Sequence, residues 1–110
     1  MQTNFMQTNL NPSDTENQLL CLLRMLRTAM QGLSKFTLLT QPEWDLLDQA
    51  WLGALENDVQ VFEQAINDLD SKTHFHDHQL LGLEGGAQYR LVRELIRCVQ
   101  DIWPAFFQAH

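Results

Sequence analysis

Residues 42–70 read PEWDLLDQAWLGALENDVQVFEQAINDLD. The stretch holds eight acidic side chains (Glu43, Asp45, Asp48, Glu56, Asp58, Glu63, Asp68 and Asp70) and no basic one. An apolar residue recurs roughly every three to four positions, the period of an α-helix with one apolar seam. Trp44, Trp51, Leu55, Phe62, Ile66 and Leu69 make that seam, and the acids flank it. Thr40-Gln41-Pro42-Glu43 supplies the start: a cap hydroxyl, a first-turn proline and a carboxylate three residues on. Unbroken to Leu69, the helix would be about 40 Å long at ~1.5 Å per residue. Gly53 and the Asn57-Asp58 pair are the two places where it can kink or break.

Working outward, an earlier helix should begin near Ser13 or Asp14, where Ser13 and Glu16 make a capping-box pattern. Leu19, Leu22, Leu23, Leu26, Met30 and Leu33 then share one face, with Arg24 and Arg27 opposite. After the acidic stretch, Ser71 to Gly86 reads as a loop carrying His74, His76 and His78, with Leu80, Leu81 and Leu83 as an apolar plug. A last helix is expected from about Ala87 to Trp103. Its wide arc of Leu91, Val92, Leu95, Ile96, Val99, Ile102 and Trp103 suits the most buried member of a bundle. Pro104 should stop or kink it, leaving Ala105-Phe106-Phe107 as a short apolar tail.

The fold class expected is therefore all-α: a small bundle of three main helices, completed by dimerisation or by a partner. Residues 1–12 form a polar segment expected to be disordered, and 13–110 a single helical domain. The opening Met1-Gln2-Thr3-Asn4-Phe5 is nearly repeated in Met6-Gln7-Thr8-Asn9-Leu10. That duplication fits a genetic slip or a choice of two start codons, and is too short for an architectural repeat.

A chain of 110 residues with 45% hydrophobic content has enough apolar material for one core. Its net charge of −7 disfavours direct contact with nucleic acid or an anionic membrane, since both repel an acidic surface. No run approaches the ~18–20 apolar residues of a membrane span. With no secretory pattern at the start, the expected location is the cytoplasm. Cys21 and Cys98 lie in apolar helical runs and suit no zinc or redox spacing. Burial as small hydrophobes is the favoured reading, with a bridge between the first and last helices as the alternative.

Asp45, Asp48, Glu56, Glu63 and Asp70 fall within about 80° of one another at ~100° per residue, and border the seam. Arg90, Arg93 and Arg97 make a matching stripe on the last helix. The two stripes are expected to face each other within the bundle or across a dimer, or to be merely solvated. A partner-binding role is the alternative, for these acids and for Trp103, Phe106 and Phe107, which follow one another around Pro104. Aromatic anchors of that kind dominate binding when they fill a pocket. His74, His76 and His78 around Asp77 match no structural-zinc spacing, so no metal and no cofactor are expected. Nucleophilic catalysis has no support either: neither cysteine is in an electropositive setting, and no serine sits in a strand-turn-helix elbow.

The functional expectation is a non-enzymatic protein–protein interaction module: a small cytoplasmic regulator, adaptor or chaperone, homodimeric, binding another protein through an apolar helical groove. Pro42-Glu43-Trp44-Asp45-Leu46-Leu47 resembles the helix starts of small export chaperones of flagellar and type III secretion systems. That resemblance covers one or two turns of common helix-start chemistry and assigns no family. The alternatives are an acidic inhibitor that mimics nucleic acid, and a metal-binding helical protein using the His74–His78 loop.

Overall fold

The computed structural model of the chain describes residues 12–74 and 81–108. Four helices are present among them, α1 (Pro12–Leu33), α2 (Gln41–Leu55), α3 (Val59–His74) and α4 (Gly82–Gln108), and no strand. The all-α expectation holds; the count of three does not. The polar segment before Pro12 lies outside the described residues.

The extra helix comes from a break at Glu56–Asp58, written into three residues. Asn57 adopts φ 57, the left-handed region that asparagine tolerates better than most residues. The Asp58 N–H donates to the Gly53 carbonyl at 2.8 Å and the Asn57 N–H to that of Ala54 at 3.4 Å. This pair of bonds satisfies the last carbonyls of α2 and ends it as a Schellman motif. Asp58 then restarts the chain: its carboxylate accepts the Val61 N–H at 3.2 Å, an N-terminal cap for α3.

The break folds α3 back on α2 and changes which residues are core. Phe62, Ile66 and Leu69 are buried as the periodicity implies, but Trp44 and Trp51 are half-buried and Leu55 is 56% exposed. The inner face of α2 is Leu47, Ala50, Gly53 and Ala54 instead. Small residues win there because the two backbones nearly touch: a Cβ on Gly53 would lie 2.9 Å from the Phe62 backbone nitrogen. At the other end, Thr40 caps α2 as its sequence implies. The Glu43 carboxylate accepts the Thr40 N–H at 2.8 Å and the Thr40 hydroxyl at 3.1 Å, and Glu43 is itself buried.

Each helix runs antiparallel to the next. Arg27 meets Asp48 and Arg24 lies over Trp51 between α1 and α2. Thr73 meets Tyr89 and Asp70 meets Arg93 between α3 and α4. The most extensive pairings are α2 with α3 and α1 with α4. One continuous core joins all four, with Leu19, Leu23, Leu26, Met30, Leu33, Val92, Ile96 and Val99 filling the α1–α4 side. Leu22, expected on the same face, is half-buried at its edge.

The chain after α3 also departs from expectation. α3 continues to His74, and α4 begins at Gly82, so Gly85 and Gly86 are helical instead of loop. Gly85 admits the Phe36 ring, which a Cβ would approach to 3.0 Å. Leu81 packs on the core while Leu83 is 88% exposed, so only part of the expected plug is a plug; Leu80 lies outside the described residues. α4 also runs through Pro104 to Gln108. The proline removes one backbone bond, but the turn beyond it is held by aromatic packing. Phe62 lies 6.1 Å from Trp103 and 5.4 Å from Phe107, and Phe106 meets Phe107 edge-on at 4.8 Å. Such tilted pairs contribute about 0.5–1.5 kcal/mol each beyond area burial. No described helix is long and apolar enough to cross a membrane.

Candidate interaction surfaces

The residues singled out by sequence are not brought together as one surface. Because α2 ends at Leu55, the regular acidic stripe on a single helix does not exist: Asp45 and Asp48 ride on α2, Glu56 ends it, and Glu63 and Asp70 belong to α3. Asp45 accepts a hydrogen bond from Gln41 at 2.9 Å, within its own helix. Asp48 pairs with Arg27 where both side chains are about half exposed. Glu56 and Glu63 are exposed.

Asp70 belongs to a tighter cluster. Arg93 reaches from α4 to the Asp70 carboxylate at 2.7 Å and donates to the Asp70 carbonyl at 3.0 Å and to the Thr73 hydroxyl at 2.9 Å. Its other nitrogen lies 2.8 Å from His74 Nδ1. The Thr73 hydroxyl donates to the Leu69 carbonyl at 3.0 Å, and the Tyr89 hydroxyl donates to the Thr73 carbonyl at 3.1 Å. α4 thus caps the C-terminus of α3, where the last carbonyls lack helical partners and a cation meets the negative helix end. The expected pairing of acidic and arginine stripes is realised here by one residue of each.

His74 is therefore the last residue of α3, touching Arg93, whereas His76, Asp77 and His78 lie outside the described residues. Among the described residues, no three His, Cys, Asp or Glu side chains are grouped to hold a metal. The aromatic residues weighed as an interface anchor, Trp103, Phe106 and Phe107, pack against α3 and one another. Phe106 is 1% exposed, and Trp103 and Phe107 are half-buried against Phe62. Their hydrophobic demand is met by the start of α3, within the same molecule.

Exposed apolar side chains are scattered over the described residues, with Leu38, Leu52, Leu55 and Leu83 more than half exposed, and two others, Met25 and Leu91, line a groove between α1 and α4. Met25 is 48% exposed and Leu91 46%, and they stand on opposite walls of a groove of about 390 Å³. Ala29, Leu95 and Gln88 form its floor, with Cys21, Thr28 and Arg24 along the α1 side. Gln88 is pinned: its amide donates to the Ala29 carbonyl at 3.0 Å. Sequence reading placed Leu91 and Leu95 in a buried arc and left Met25 out of the seam. The signal that was available is the width of that arc, broader than one neighbouring helix covers.

A larger cleft of about 670 Å³ opens between the start of α2 and the end of α3, lined by Pro42, Asp45, Leu46, Gln49, Asp68, Ser71 and Lys72. Its carboxylates are already engaged within their helices, Asp45 by Gln41 and Asp68 by Gln64. It offers solvated charge of both signs. The α1–α4 groove is the better candidate, because uncovered apolar walls are what a partner helix can bury.

The chain matches no family model, and no curated protein or solved structure matches it.

Proposed function

We propose that this chain is a non-enzymatic interaction module, a small regulator, adaptor or chaperone, that binds an amphipathic helix of another protein in the α1–α4 groove. The carrying observation is that two half-exposed side chains, Met25 and Leu91, line one groove over the buried Ala29 and Leu95. A groove between antiparallel helices accepts a third helix through anchors spaced three to four residues apart. Arg24 on the rim favours an acidic residue on that partner helix. The cytoplasm remains the proposed location, and a second copy of the chain is the competing occupant, giving a homodimer.

The test pairs two variants in affinity capture from the producing cells, followed by reconstitution with the purified captured protein. Met25→Asp with Leu91→Asp places two carboxylates on the groove walls and should weaken binding at least about a hundredfold while leaving the helical circular dichroism intact, since burying an unpaired charge costs several kcal/mol. Glu56→Lys with Glu63→Lys, two exposed carboxylates that do not line the groove, should bind as the parent does. The opposite pattern, capture lost with the lysine variant and kept with the groove variant, would overturn the proposal and favour these acids. Concentration-dependent mass in the purified chain, abolished by the groove variant, would identify the occupant as a second copy.

A further inference from the structure

The two cysteines have no part in the packing just described. Both are free; Cys21 is exposed and Cys98 half-buried. Burial as a small hydrophobe does not account for an exposed cysteine on a groove wall. Their relation follows from the register of α1 against α4. Gln88 donates to the Ala29 carbonyl, and a Cβ on Gly32 would strike the Gln88 side chain, so Gln88 sits beside the Ala29–Gly32 turn. Farther along, Phe36 rests on Gly85, as antiparallel helices require. Cys21 lies eight residues before Ala29, about 12 Å along α1, and Cys98 ten residues after Gln88, about 15 Å along α4 in the same direction. The two thiols therefore stand within about one helical turn of the same level.

They also share a face. Cys21 lines the groove itself, four residues before Met25 and seven before Thr28, which line it too. Cys98 does not line the groove, but it follows Leu91 by seven residues and Leu95 by three, which puts it one turn beyond the groove's end on the same side of α4. We propose that Cys21 and Cys98 form an intramolecular disulfide across the mouth of the α1–α4 groove when the chain meets a peroxide. The chemistry balances with one equivalent of hydrogen peroxide. The Cys21 thiolate attacks a peroxide oxygen, hydroxide leaves and takes up the thiol's proton as water, and Cys21 carries a sulfenic acid. The Cys98 sulfur then attacks Cys21, the sulfenic hydroxyl departs with the Cys98 proton as a second water, and the S–S bond closes. Two thiols are oxidised and one peroxide is reduced.

A disulfide sets two sulfurs and two Cβ atoms across the gap between the helices, in the space a docked third helix would fill. The bridge accordingly denies this level of the groove to a third helix. That consequence, unlike the bridge, rests on the binding role proposed above.

The experiment treats the folded full chain, at low micromolar concentration, with one equivalent of hydrogen peroxide. The intact mass should fall by two hydrogens, and peptide mapping should give one cross-link, Cys21 to Cys98. Non-reducing denaturing electrophoresis should show a single-chain band. Cys21→Ser and Cys98→Ser should each abolish the cross-link, and the folded chain should form it at least about tenfold faster than the chain in guanidinium, because only the fold holds the thiols together. The oxidised chain's Tm should rise by about 10 °C or more and return with dithiothreitol. Sulfinic acid on Cys21 alone, or chain-to-chain disulfides in place of the internal one, would overturn the bridge. A bridge that forms without altering affinity for the captured partner would stand, and would overturn the groove as that partner's site.

Discussion

The α2–α3 pair and the α1–α4 pair solve the same packing problem in opposite ways. α2 and α3 are joined by three residues, and Gly53 lets the chain close until the α2 backbone rests on that of Phe62. α1 and α4 are separated by most of the sequence and meet through larger side chains, with Gln88 interposed near Gly32. The first pair is sealed at its closed end. The second keeps an apolar groove, so the proposed interaction surface follows from what spaces the helices and not from overall hydrophobicity.

Breaking the close pair should have the largest effect. Gly53→Ala forces a Cβ against the Phe62 backbone, which cannot yield as a side-chain end can, and should destabilise the fold by about 2–3 kcal/mol in chemical denaturation. Gly32→Ala is the matching change in the looser pair. The flexible end of Gln88 can yield there and helix propensity rises, so the net change should stay within about 1 kcal/mol. Equal losses in the two variants would erase the contrast between the pairs.

The caps come next. Arg93→Met keeps the aliphatic stem but strips the α3 C-terminus of its donors, and should cost about 1–3 kcal/mol. Amide hydrogen exchange should locate the loosening in the last turn of α3. Asn57→Ala puts a Cβ-bearing residue without a local side-chain hydrogen bond in the left-handed region, and should cost about 1 kcal/mol in denaturant titration. Asn57→Gly should be neutral or slightly stabilising. A stable, helix-enriched Asn57→Ala variant would mean that α2 and α3 prefer to merge.

The smallest effects belong to the ion pairs. A double-mutant cycle on Arg27 and Asp48, both about half exposed, should give coupling of about 0–1 kcal/mol. The Arg93–Asp70 cycle should exceed it, because those side chains are less exposed and share hydrogen bonds with Thr73. The reverse order would make the α3 cap ornamental.

Much of the fold was legible in the sequence. The faces of α1 and α3, the Thr40 cap with its Pro42 and Glu43, and the possibility of a stop at Asn57-Asp58 are local signals carried by neighbouring residues. What went astray was non-local. Trp44, Trp51 and Leu55 outweigh Ala50, Gly53 and Ala54 on any hydrophobic scale, yet the small residues face the core because a returning helix needs room. Gly85-Gly86 and Pro104 read as breakers, but Phe36 needs the bare glycine surface and Phe62 gathers the aromatic turn after the proline.

The candidate site divides along the same line. By itself the sequence determined an all-helical chain, its acidic charge, the start of α2 at Thr40 and the residue types able to cap or pair. Those follow from backbone geometry and from composition, both local. Only the tertiary structure decided that Phe106 is core while Met25 and Leu91 are surface, that Arg93 caps the end of α3, and that Cys21 is an exposed residue on a groove wall. Each of these depends on which helix lies beside which and how closely, and that is set by side-chain volumes summed across elements far apart in the chain.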